Sequence, residues 1–78
     1  MNKYQFELSS CGLILFAKTN VDGIDVEFQG HHEYPVDRYT KVVISRNGET
    51  LLVEDNIILD YILDADVDHY IQKALKQG

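Results

Sequence analysis

The sequence predicts an α+β fold: an antiparallel sheet of about five strands, laid out as a meander followed by a hairpin, with a C-terminal amphipathic helix packed on one face. Three observations lead there. Asn47-Gly48 separates two β-prone runs and is the pair that a two-residue type I′ turn needs, because both central residues take positive φ. Apolar residues alternate with polar ones over 3–8 and 24–29, the period of a half-buried strand. From Val67 onward the apolar period changes to that of a helix.

The elements follow in chain order. Tyr4, Phe6 and Leu8 alternate with Lys3, Gln5 and Glu7, giving a first strand with one buried face; residues 9–12, Ser-Ser-Cys-Gly, are expected to turn. Residues 13–18 form a short continuous apolar run and read as a strand covered on both faces. Residues 19–23 supply a turn in which Asn20 and Gly23 are expected to take positive φ. Ile24, Val26 and Phe28 then alternate with Asp25, Glu27 and Gln29 in a third strand. Pro35 has no N–H to give to a ladder, so residues 30–38 are expected to form the longest loop.

The hairpin across Asn47-Gly48 is expected to pair Arg46 with Glu49, Ser45 with Thr50, Ile44 with Leu51, Val43 with Leu52 and Val42 with Val53. That register puts Val42, Ile44, Leu51 and Val53 on one face and Val43 and Leu52 on the other, so both faces call for cover. Residues 56–63 suit either a short helix capped by Asn56 or a sixth strand, with the helix preferred. In the C-terminal segment Val67, Tyr70, Ile71, Ala74 and Leu75 make one helical stripe. Asp64 is the expected N-cap, and the acids Asp66 and Asp68 suit the positive end of the helix dipole.

Seventy-eight residues allow one small domain with little stability to spare, about 3–5 kcal/mol from a single core. One cysteine, Cys11, rules out an internal disulfide and fits a reducing, cytoplasmic setting. The first residues lack the apolar stretch of a secretory signal, and no run approaches the roughly 18 apolar residues of a membrane span. The net charge of −6 is unevenly placed: residues 49–72 hold seven acids and neither Lys nor Arg. Phosphate neutralisation needs Lys and Arg, so direct nucleic-acid binding is not expected.

Candidate sites are few. Asp64, Asp66 and Asp68 alternate like the opening of a calcium loop, but His69 stands where the loop needs glycine, and helix capping explains the same letters. His31, His32 and Glu33 are the one cluster of potential metal ligands, without the spacing of a known site. Ser10 or Cys11 with a histidine is the only nucleophile pairing on offer, and no Gly-rich phosphate loop occurs. No metal, cofactor or catalytic group is therefore assigned.

The expected function is a small acidic, cytoplasmic, non-catalytic protein-interaction module, an inhibitor or adaptor acting as a homodimer. Its acids Glu54, Asp55, Asp60, Asp64, Asp66 and Asp68, with Tyr34 on the loop, are the expected contacts to a basic partner surface. The alternative is a ligand- or metal-binding protein or small enzyme with its site at residues 31–34.

Overall fold

The structure is a computed structural model describing residues 3–33 and 36–77. Five strands, β1 (Glu7–Cys11), β2 (Ile14–Val21), β3 (Ile24–Glu33), β4 (Val36–Arg46) and β5 (Glu49–Glu54), precede one helix, α1 (Asp64–Gln77). All neighbours pair antiparallel in the order β1-β2-β3-β4-β5, so the sheet is an open five-stranded meander with β1 and β5 at its edges. The α+β class expected from the sequence is the class observed.

Tight turns set this order. Asn47 and Gly48 both take positive φ, 53° and 80°, as a type I′ turn requires. Asp22 and Gly23 do the same at 53° and 86°, so the second turn is an Asp-Gly pair and Asn20 stays in its strand. Asn20 serves that turn with its side chain, accepting from Gly23 N–H at 3.1 Å and donating to Asp25 at 2.9 Å. The first turn is Gly12-Leu13, closed by the Cys11 to Ile14 pair, three residues later than the alternation of Tyr4, Phe6 and Leu8 implied. Tyr4 and Phe6 precede β1 and still pack on the core.

Three further expectations are corrected. Residues 30–38 are not a long loop, because β3 continues to Glu33 and β4 begins at Val36, with Glu33 paired to Val36. The hairpin register holds at Arg46 to Glu49 and Ser45 to Thr50, then shifts at a bulge: Leu51 is the extra residue, and Ile44 faces Leu52, Val43 faces Val53 and Val42 faces Glu54. Leu52 thereby turns into the core, Val53 turns out, and Glu54 comes to the helix side. Residues 56–63 form no helix. Tyr39 and Leu59 exchange both backbone hydrogen bonds, at 2.8 and 2.9 Å, and Ile57 N–H donates to Thr40 at 3.3 Å, so this segment runs extended beside β4. Its β-branched residues favour that state once β4 offers open ladder groups.

The core lies between one sheet face and α1. Ala17, Ile24, Val26, Phe28, Val42, Ile44 and Leu52 come from the sheet, Ile57 from the extended segment, and Val67, Ile71 and Ala74 from the helix. Phe28 is fully buried and meets Phe6 and Tyr70 edge-on, with ring centroids 6.3 and 6.1 Å apart. The second face, expected to need cover, carries a polar lattice around Phe16 and Val43: Lys18 pairs with Glu27 at 3.4 Å, and Gln29 donates to Glu27. Residues 57–62 therefore help to cover the same face as α1.

One backbone approach is unusually close. Thr40 is the extra residue of a bulge opposite Gln29 and Gly30, and Gly30 has so little space that a Cβ there would lie 2.0 Å from the Arg38 carbonyl oxygen. Only glycine fits.

Candidate functional site

The acids singled out from the sequence are placed by the fold, and all but Asp55 have work inside the chain. Glu54, brought round by the bulge, has its Oε2 2.6 Å from Lys73 Nζ, a charge contact without an aligned hydrogen bond. Asp60 accepts from Arg38 Nε at 3.2 Å. Leu63, not Asp64, is the N-cap: its carbonyl accepts from Asp66 N–H at 3.0 Å and Val67 N–H at 3.2 Å, while its own N–H donates to the Asp66 carboxylate at 2.9 Å. That reciprocal arrangement is the backbone half of a capping box.

Asp64 and Asp68, four residues apart on one helix face, both hold the N-terminal segment. Lys3 N–H donates to Asp64 Oδ2 at 2.7 Å, the Tyr4 hydroxyl donates to Asp68 Oδ1, and Lys3 Nζ lies 3.5 Å from Asp68 Oδ2. The Tyr4 hydrogen bond and the Lys3 charge hold the Asp68 carboxyl below its ordinary 3.8. Helix-start acids thus act as ties and caps; Asp55 is exposed. Tyr34, the remaining expected contact, lies outside the described residues.

The histidines diverge. His31 faces Arg38 and His32 faces Asp37, and successive residues of a strand point to opposite sides. His32 Nδ1 contacts Asp37 Oδ1, and His69 packs its ring against Tyr70 on α1, centroids 5.0 Å apart. Among the described residues no group of three or more His, Cys, Asp or Glu comes together in a way that could hold a metal. Cys11, Ile14, His31 and Arg38 form one cross-strand row, so two strand spacings, about 10 Å, separate Cys11 from His31, with Ile14 between them.

A concave feature that the sequence did not announce lies on the helix side of the sheet. A groove of about 480 Å³ is lined by Tyr4, Phe6 and Leu8 on one wall and by Tyr39, Tyr61, Ile62 and Leu63 on the other, with Ala17 among its lining and Asp37 and Asp60 at one end. It exists because α1 packs on β3, β4 and β5 and stops short of β1. The small side chain of Ala17 leaves depth below Leu8, its partner in the next strand. Leu8, Tyr61 and Leu63 are 70%, 76% and 57% exposed, an apolar group that the fold leaves to solvent. Burial, and secondarily the Asp37 charge, raise the Tyr39 phenol above its ordinary 10.0, so it is neutral at physiological pH.

Sequence reasoning missed this groove for a physical reason. Leu8 reads as a core residue from its alternation, and Asp37 and Asp60 are 23 positions apart, joined only by the pairing of β4 with the extended segment. The one available signal was the surplus of tyrosine, five in a chain of 78. Comparison of the chain with protein-family models, with curated proteins and with solved structures finds no match. Among the described residues no helix is long and apolar enough to cross a membrane.

Proposed function

We propose that the chain is a small acidic, cytoplasmic, non-catalytic protein-interaction module, an inhibitor or adaptor, which works as a homodimer and docks on a basic surface of a partner protein. The observation that carries this reading is the groove between Leu8 and Tyr61. Recognition surfaces place aromatic and aliphatic anchors at the centre and charge at the rim, and here Leu8, Tyr61 and Leu63 stand exposed beside Asp37 and Asp60. Among the described residues none that lines the groove is Lys or Arg, Asp60 shares its charge with Arg38, and the chain carries a net charge of −6, so the complementary surface is basic overall.

The docking contacts differ from those the sequence favoured. Asp64, Asp66 and Asp68 contribute field rather than direct contacts, since their carboxylates already serve α1 and the N-terminal segment. The test is capture of a binding partner by the wild-type chain and by a Tyr61→Asp/Leu63→Asp variant, at low and high salt. The expected partner is basic and is lost both from the variant and at high salt. Equal capture by both chains overturns the reading.

A second reading, a ligand- or metal-binding protein or small enzyme, is favoured by the groove's volume, which lies within the roughly 300–1,000 Å³ of small-molecule sites. Its site then moves from residues 31–34 to the groove. A melting temperature indifferent to a broad screen of metals and metabolites counts against it.

A further inference from the structure

We infer that β1 is the dimer interface: two copies pair antiparallel through their β1 edges about a two-fold axis at Ser9, joining two sheets into one of ten strands. This rests on the homodimer of the proposed function and specifies how it is built. The argument starts from backbone groups. In a two-residue hairpin the pair that closes the turn is hydrogen-bonded, and hydrogen-bonded and open pairs alternate from there. The closing pair is Cys11 to Ile14, so Cys11, Ser9 and Glu7 direct their N–H and C=O groups to β2. Leu8 and Ser10 direct theirs outward, along the free edge.

A register centred on Ser9 sets Leu8 of one copy against Ser10 of the other, and the reverse. Every outward donor and acceptor of Leu8 and Ser10 is then paired with its counterpart. Registers centred one residue to either side set Leu8 or Ser10 against itself and leave the other facing residues outside β1. The strand is thus self-complementary in the way an isologous interface demands.

The two edges of the sheet are treated differently. At β5 the Leu51 bulge and the glutamates Glu49 and Glu54 blunt strand addition. β1 carries no Lys, Pro or bulge, its one charged residue, Glu7, stands at the strand's start opposite Lys18, and all its residues are exposed. Side chains agree with the backbone. On the helix side of the joined sheet, Leu8 of one copy lies diagonal to Leu8 of the other, about 7–8 Å apart, so the two exposed groove walls meet back to back. The Gly12-Leu13 turn of each copy comes alongside the Phe6 end of the other, giving cover to Leu13, 69% exposed in the single chain.

The test places a cysteine on the axis. In a Cys11→Ser background, Ser9→Cys sets two thiols on an open pair with Cα atoms about 4.5 Å apart, within disulfide range. Under mild oxidation it is expected to cross-link about tenfold or more faster than Thr50→Cys in the same background, because pairing raises the local concentration of the partner thiol. Wild-type Cys11 faces Glu7 of the other copy, so the two native thiols stand about 14 Å apart and do not cross-link within the dimer. Ser10→Pro removes an outward N–H without touching the β1 to β2 bonds, and is expected to run at 9.0 kDa where wild type runs at twice that mass.

A wild-type mass of 9.0 kDa at high concentration overturns both the dimer and this interface. A doubled mass with Ser9→Cys no faster than Thr50→Cys leaves the dimer standing and overturns the β1 pairing. The cross-linking arm decides even where Ser10→Pro fails to fold.

Discussion

The Tyr4 hydroxyl donates to the Asp68 carboxylate across 64 positions of sequence, fastening the N-terminal segment to the first turns of α1. Lys3 reinforces the tie from both its backbone N–H and its ammonium, which also sits 4.7 Å over the Tyr4 ring. One wall of the groove, Tyr4 with Phe6, therefore depends on a helix acid.

Acid should loosen that wall. Asp68 is held below its ordinary 3.8, first by the Tyr4 hydrogen bond and then by Lys3, so between the folded and unfolded values the unfolded chain binds more protons. The stabilisation is complete above 3.8 and is lost as pH falls through the lower, folded value. We expect the Lys3 amide, bonded to Asp64 beside the tie, to lose hydrogen-exchange protection in that window before the sheet does, and Asp68→Asn to show the looser state at neutral pH. Unchanged protection in Asp68→Asn contradicts the tie.

Alkali acts on two tyrosines packed against the same core. Burial raises the phenols of Tyr39 and Tyr70 above their ordinary 10.0, with Asp37 adding to the first and Glu54 and Asp66 to the second. The folded chain then binds more protons than the unfolded one above pH 10, and stability falls as pH rises through the raised values. Tyr70→Phe should flatten the decline in urea midpoint above pH 10; an identical decline counts against Tyr70 as a source.

Gly30→Ala should be among the most damaging single-atom-scale changes in the chain. Its Cβ would meet the Arg38 carbonyl oxygen at 2.0 Å, and that backbone can move only by breaking the β3 to β4 pairing around the Thr40 bulge. We expect a loss of about 3 kcal/mol, the upper end for overpacking, measured by urea unfolding. A loss below about 1 kcal/mol would mean that the bulge yields readily.

Phe28→Leu tests the shared aromatic core. Phe28 is fully buried and is the ring that both Phe6 and Tyr70 meet edge-on. Losing two such contacts should cost about 1–3 kcal/mol beyond the change in buried area. Against a total near 3–5 kcal/mol, that lowers the melting temperature by many degrees.

Glu54→Lys reverses one of the acids expected to meet a partner and also breaks a contact inside the chain. Glu54 meets Lys73 across the β5 to α1 contact, with side chains 29% and 41% exposed. The single variant should lose about 0.5–1 kcal/mol, and Glu54→Lys/Lys73→Glu should recover most of it in a double-mutant cycle. Absence of recovery would show that the pair carries no coupling.

The division between sequence and tertiary structure follows the range of the interactions. Asn47-Gly48 determined its own turn, because positive φ at two adjacent residues is a local property of those side chains. The meander, the C-terminal helix and the α+β class followed from periods of two and 3.6, which each segment carries by itself. The register beyond Thr50 was decided elsewhere: the bulge at Leu51 turns Leu52 into the core and lets Glu54 reach Lys73, a gain that only the docked helix provides. Residues 56–63 were ambiguous for the same reason, since the choice between helix and extended chain was settled by the open ladder groups of Tyr39 and Thr40. The groove, finally, is a property of what α1 leaves uncovered beside β1. Sequence alone determined the Asn47-Gly48 turn, the C-terminal helix and the α+β class; packing decided the strand limits, the register, the faces and the surface offered to a partner, because those depend on contacts between residues that the chain itself keeps far apart.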